Sequence, residues 1–78
     1  MTTVKMYTTP TCVYCKMAKE FFQKNNVQYE EYNVAEDDEK REEMVKISGQ
    51  LGVPVIDVGG KVFVGFDRKG IAMALNVK

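Results

Sequence analysis

Two β-favouring runs, Pro54-Val55-Ile56-Asp57-Val58 and Lys61-Val62-Phe63-Val64, are separated by Gly59-Gly60 alone. This spacing constrains the fold more than any other feature of the chain. A two-residue connection needs positive φ angles to match the twist of its flanking strands, and glycine reaches them without a Cβ clash, so the segment predicts a tight antiparallel hairpin. Upstream, Val4, Met6 and Tyr7 around Lys5 predict a short strand, ended by the turn-forming Thr8-Thr9-Pro10. Thr11 then reads as a helix N-cap, its hydroxyl accepting a backbone N–H of the first turn. From Val13 to about Lys24, the sets Val13, Met17, Phe21 and Tyr14, Ala18, Phe22 recur at three- and four-residue spacing, while Lys16, Lys19, Glu20, Gln23 and Lys24 stay polar. That is an amphipathic helix, stopped by Asn25-Asn26. Val27 to Val34 predicts a strand through Val27, Tyr29 and Tyr32, although its alternation slips between the two tyrosines.

The acidic stretch Glu36 to Glu43 reads as the solvated face of a second helix, because Glu36–Lys40, Asp37–Arg41 and Glu42–Lys46 fall at the stabilising i,i+4 spacing. Met44, Val45 and Ile47 form its inward side, and Ser48-Gly49 its end. Asp67 is an N-cap candidate for a last helix reaching Asn76, with an Ile71, Ala74, Leu75 stripe weakened by Gly70. A chain of 78 residues forms one domain, 1–78, with a modest core. The order strand, helix, strand, helix, hairpin, helix implies a right-handed βαβ unit followed by an antiparallel pair. The fold class is α/β, a single mixed four-stranded sheet with three helices on its faces.

No charged-then-apolar leader or apolar run approaching the ~20 residues of a bilayer span is present, so a soluble, cytoplasmic, monomeric protein is expected. Lysine plus arginine equals aspartate plus glutamate at 11 each. No global field draws polyanions, and neither nucleic acid nor membrane is expected as a partner.

In α/β folds ligands gather where strands end and helices begin, and Cys12-Val13-Tyr14-Cys15 lies at such a junction. A disulfide this local constrains the unfolded chain very little, which argues against a structural staple. A structural zinc site would need two further Cys or His, and the chain has no other cysteine and no histidine. Only a dimer pooling two pairs would close such a site, so no metal ligands are assigned, and a dimeric metal or iron–sulfur module stands as the alternative of another class. Two small buried residues of no chemical role are the plainest reading of a cysteine pair. Position favours a redox pair. Residues i and i+3 of a first helical turn have Cα atoms roughly 5–6 Å apart, within disulfide range. Cys12, at the positive end of the helix dipole with Lys16 one turn on, is the expected nucleophile, its thiolate favoured. Cys15 suits a resolving thiol that attacks the mixed disulfide and frees the substrate.

Taken together, Tyr7-Thr8-x-x-Thr11-Cys12-Val13-Tyr14-Cys15, Gly52-Val53-Pro54 and Gly65-Phe66-Asp67 resemble a glutaredoxin or glutaredoxin-like redoxin over essentially the whole chain. The resemblance implies a thioredoxin fold (βαβαββα) and thiol–disulfide oxidoreductase activity, with glutathione as co-substrate and no bound cofactor. It implies a cis Pro54 facing the cysteines, and a Val53 backbone that pairs with an extended substrate as an added strand. By the same carry-over Thr11, Tyr14 and Gln50 are glutathione contacts, Gln50 toward the glycine end. Phe66-Asp67 hold the γ-glutamyl end at a helix N-terminus, in accord with anion binding by free N–H groups.

Three positions depart from that pattern. Many glutathione-binding members carry lysine where this chain has Thr9, a second glycine at Val64 and an acidic residue at Arg68. Val13 and Gly65-Phe66 are also similar to small redoxins that serve ribonucleotide reductase and are reduced by thioredoxin reductase. The expected partners are therefore glutathione and disulfide-containing proteins, with thioredoxin reductase and ribonucleotide reductase as the alternative pair.

Overall fold

The computed structural model describes residues 3–76. Gly59 and Gly60 take φ of 58° and 99°, and they join β3 (Val55–Val58) to β4 (Lys61–Val64) in the expected antiparallel hairpin. β1 (Val4–Thr8) pairs antiparallel with β3 and parallel with β2 (Glu30–Asn33), giving the strand order β2-β1-β3-β4. Three helices complete the chain: α1 (Val13–Lys24), α2 (Asp38–Ser48) and α3 (Arg68–Leu75). The mixed four-stranded sheet and the βαβαββα order are those expected.

Alternation along the strands divides the core between the two faces of the sheet. Val4, Met6, Ile56, Val58 and Phe63 meet Ala18, Phe21 and Phe22 of α1 and Ile71 of α3. Tyr7 and Val55 meet Val34 and Met44 on the other face. The Tyr7 hydroxyl donates to Glu43 Oε1 at 3.1 Å, and the Lys40 ammonium donates to the other oxygen at 3.0 Å. The first bond fastens α2 to the sheet, the second lies within α2, and together they hold the Glu43 carboxyl below its ordinary range, Lys40 contributing most. Burial, reinforced by Glu43, pushes the Tyr7 phenol well above its ordinary value.

Several local expectations change. Thr8 continues β1 instead of starting the turn, because its N–H and C=O find partners beside Asn33 and Val34. The N-cap of α1 is Cys12, not Thr11: the Cys12 sulfur accepts the Cys15 N–H at 3.1 Å. The buried stripe of α1 is Cys15, Ala18, Phe21 and Phe22, leaving Val13, Tyr14 and Met17 exposed. A small apolar cysteine packs against the sheet as well as any alanine, which rotates the inward face by one residue. β2 is confined to Glu30–Asn33, since only there does the chain run in register with β1. In α2, Met44 is buried and Ile47 is exposed. The i,i+4 pairs give way to Lys40–Glu43 and Arg41–Asp38 at i,i+3. Glu36 lies before the helix and Asp37 caps it, its carboxylate accepting the Lys40 N–H.

Asn25 caps α1, Gly49 at φ 77° ends α2, and Asp67 caps α3, as the sequence predicts. Gly70 in α3 also has a packing reason. Its N–H donates to Asp67 Oδ1 at 3.1 Å, and an added Cβ would stand 2.5 Å from Asp67 Oδ2 and 2.8 Å from Phe63 Cε1. Alanine gains ~1 kcal/mol of helix propensity, but crowding both the cap and a core ring costs about 1–3 kcal/mol. Gly70→Ala should therefore lower Tm, not raise it, in a thermal melt followed by circular dichroism.

Candidate functional site

The turn Thr9-Pro10-Thr11 between β1 and α1 brings the chain from the end of the central strand into the first turn of the helix. The Cys12 N–H bonds to the Thr9 carbonyl at 3.3 Å and the Lys16 N–H to the Cys12 carbonyl at 3.3 Å, which sets the two cysteines on successive edges of that turn. Cys12 and Cys15 are joined in a disulfide with Cα atoms 5.2 Å apart, inside the range such bonds accept. Cys12 is half-buried, whereas Cys15 is only 1% exposed. Cys12 is therefore the cysteine more open to an incoming disulfide, and Cys15 the more shielded of the two. The Cys15 N–H aimed at the Cys12 sulfur is a donor that strengthens when that sulfur carries negative charge.

A shallow groove opens over the pair, bordered by Thr9, Pro10, Thr11, Val13, Lys16 and Lys19. Thr9 also borders a second, mainly apolar groove with Val34, Ala35, Leu51, Val53 and Arg41. Thr9 is thus the shared wall of the two grooves. The Val53–Pro54 peptide is cis, and Pro54 is fully buried. The Gly65 N–H donates to the Pro54 carbonyl at 2.8 Å, drawing the start of α3 against the proline. Phe66 packs edge-on to Phe21, ring centroids 5.8 Å apart, so Phe66 and Asp67 lie at the α1 side of that junction.

Lys16 and Thr11 sit on the cysteine groove, and Val53 on its neighbour. Pro54 and Phe66-Asp67 are joined to each other through Gly65. Asp67 itself is occupied as the cap of α3, its carboxylate accepting from Gly70 and its N–H donating to the Gly65 carbonyl. Tyr14 stands out at 62% exposure beside the pair. Gln50 donates through its side-chain amide to the Gly52 carbonyl at 3.3 Å and through its N–H to the Ser48 hydroxyl. The sequence places Arg41 only in a helix-surface pair. It does pair along the helix, with Asp38 at 3.0 Å, but it also lines the Thr9–Val53 groove. No spacing within the sequence signals that, because the groove is made by four separate segments.

Among the described residues no group of three or more His, Cys, Asp or Glu is arranged to hold a metal ion. No described helix is long and apolar enough to cross a membrane.

The family model described as Glutaredoxin matches residues 4–63. An uncharacterized glutaredoxin-like 8.6 kDa protein in the rubredoxin operon of Clostridium pasteurianum is 46% identical over 68 residues, covering 87% of this chain and 91% of the relative. Glutaredoxin 3 of Escherichia coli K12 is 37% identical over 67 residues, covering 86% of this chain and 81% of that protein. Among solved structures, a mutant of the thioredoxin-like protein BC3987 superposes with a TM-score of 0.91 at 31% identity, covering 96% of each chain.

Proposed function

The chain belongs to the glutaredoxin family and is a thiol–disulfide oxidoreductase with Cys12 and Cys15 as its cysteine pair; from that premise we propose that it cycles through glutathione. In this reading the Cys12 thiolate attacks a protein disulfide or a glutathione mixed disulfide. One substrate sulfur leaves as a thiolate and the other is held on Cys12. Cys15 then attacks the Cys12 sulfur, forming the intramolecular disulfide and releasing the second substrate thiolate. Two glutathione thiols return the pair to the reduced state, giving up two electrons and two protons and leaving as glutathione disulfide. No bound metal or organic cofactor enters these steps.

The observation that carries the glutathione assignment is Arg41 in the groove beside Thr9 and Val53. Glutathione has two carboxylates and one ammonium, so its site needs a cation near the glycine end, and Thr9 offers only a neutral hydroxyl. Arg41 supplies that cation from α2. In this reading the Val53 backbone pairs with an extended tripeptide, and the N–H groups of α3 not taken by the Asp67 cap receive the γ-glutamyl carboxylate.

The test is turnover of a low-molecular-weight disulfide with two reducing systems side by side: glutathione with glutathione reductase, and thioredoxin reductase, each with NADPH. Sustained glutathione-driven turnover is expected. Turnover with thioredoxin reductase and none with glutathione would transfer the protein to the redoxins that supply ribonucleotide reductase.

A further inference from the structure

Each cysteine of the pair has a lysine four residues on, Lys16 after Cys12 and Lys19 after Cys15, and both lysines border the same groove. Residues at that spacing are stacked neighbours on a helix face. The two lysines are held differently. Lys16 is exposed on the helix surface, whereas Lys19 is half-buried and paired with Glu31 of β2 at 2.5 Å. The same Glu31 oxygen accepts a hydrogen bond from the Thr8 hydroxyl at 2.9 Å.

Thr8 is the buried polar side chain among the described residues, 2% exposed. By alternation with Val4 and Met6 it faces α1. Its hydroxyl, Glu31 and Lys19 therefore tie the last residue of β1, the edge strand and the cysteine-bearing helix together on the side where Cys15 is buried. A buried hydroxyl and a carboxylate are committed there to fixing one ammonium a turn away from a buried thiol.

We propose that Lys19, held by Glu31 and Thr8, is the positioning residue for the second half of the reaction: its charge favours the Cys15 thiolate, as Lys16 does for Cys12. Burial alone disfavours ionisation of Cys15, and a cation within about 4–6 Å counters it. Besides Lys19, the charged groups on the elements around Cys15 are Lys16, Glu20 and Lys24 on α1, Lys5 on β1, Glu30 and Glu31 on β2, and Asp67, Arg68 and Lys69 at the start of α3. Neither the Thr9–Thr11 turn nor Val53-Pro54 adds one. Glu31 is already shared between the ammonium and the hydroxyl. Lys19 is the one of these cations that lies one turn from Cys15 on the inner side of α1. The step it assists is proton loss from Cys15–SH to solvent, followed by attack of the thiolate on the Cys12 sulfur; the Cys12–substrate S–S bond breaks and its electron pair leaves on the substrate sulfur.

This inference rests on Cys15 acting as the resolving thiol, and the two claims separate in one experiment. Reduced protein mixed with excess dithionitrobenzoate releases one aryl thiolate in a concentration-dependent phase, as Cys12 attacks, and a second in a concentration-independent phase, as Cys15 attacks. Both rates are followed against pH for the wild type, Lys16→Met, Lys19→Met and Lys19→Arg. Lys19→Met should raise the pH midpoint of the second phase by about one unit, and slow that phase roughly tenfold below the midpoint, with the first phase within about twofold of wild type. Lys16→Met should do the reverse, and Lys19→Arg should restore the second phase. An unshifted second-phase midpoint in Lys19→Met, equal slowing of both phases, or failure of arginine to restore it would overturn the role given to Lys19. Loss of the second phase is expected in Cys15→Ser; if it persists there, the resolving role of Cys15 fails first.

Discussion

Cys12→Ser will abolish every thiol-exchange activity of the protein, and Cys15→Ser will leave the first attack intact while trapping its product. The asymmetry follows from where the two sulfurs lie. Cys12 is the half-buried cap of α1, open to the groove and to an incoming disulfide, with the Cys15 N–H directed at its sulfur. Cys15 is 1% exposed, packed in the stripe that α1 buries against the sheet. A serine hydroxyl at position 12 is not ionised near neutral pH and is no nucleophile toward sulfur, so loss is complete, on the order of a thousandfold or more. With Cys12 present and Cys15 replaced, the mixed disulfide forms but cannot be released from within. Intact mass of Cys15→Ser after incubation with glutathione disulfide should show one glutathione on Cys12. Residual exchange in Cys12→Ser, or equal loss of glutathione mixed-disulfide reduction in both variants, would break this division of labour.

The second large effect is expected at Arg41. Replacing it by glutamate puts a negative charge at the rim shared with Thr9 and Val53, where the proposed function seats a glutathione carboxylate. A single exposed ionic contact contributes up to ~1 kcal/mol, and reversing its sign costs up to about twice that, so kcat/KM for glutathione should fall by up to roughly thirtyfold. Exchange driven by dithiothreitol, which carries no carboxylate, should stay within about twofold. Thr9→Lys should act in the opposite direction, raising glutathione-dependent activity a few-fold by adding a second cation to the same wall. An equal loss with both reductants in Arg41→Glu would mean that the residue serves α2 and its Asp38 pair, not the substrate.

How far the sequence discloses this molecule differs between its elements. The hairpin was legible because two strand-forming runs flank a bare Gly-Gly, and a turn that short has few geometries open to it. The caps at Asn25, Gly49 and Asp67 were legible because capping is local chemistry, whereas Asp37, expected on the helix face, caps α2 instead. The rotation of α1 was not: Cys15 was read as a reactive group, yet it also belongs to the buried stripe with Ala18 and Phe22. In the site, the cysteines were legible from spacing and from the strand-to-helix junction. Arg41, Lys19 and Glu31 were not, since each acquires its role from a residue on another element. A helix-surface reading of Arg41 satisfies its sequence neighbours and remains true, but the groove it also lines exists only once α2, the β1–α1 turn, the Val34-Ala35 segment and the Val53 loop are brought together.

The nucleophile is the centre of this account, and alkylation of the reduced protein by iodoacetamide across pH reads it directly. Peptide mapping assigns the label to each cysteine, and the rate at Cys12 should rise through an inflection well below the ~8.5 of a free thiol, with Cys15 labelled far more slowly at every pH. An inflection for Cys12 at or above the free-thiol value, or faster labelling of Cys15, would contradict it.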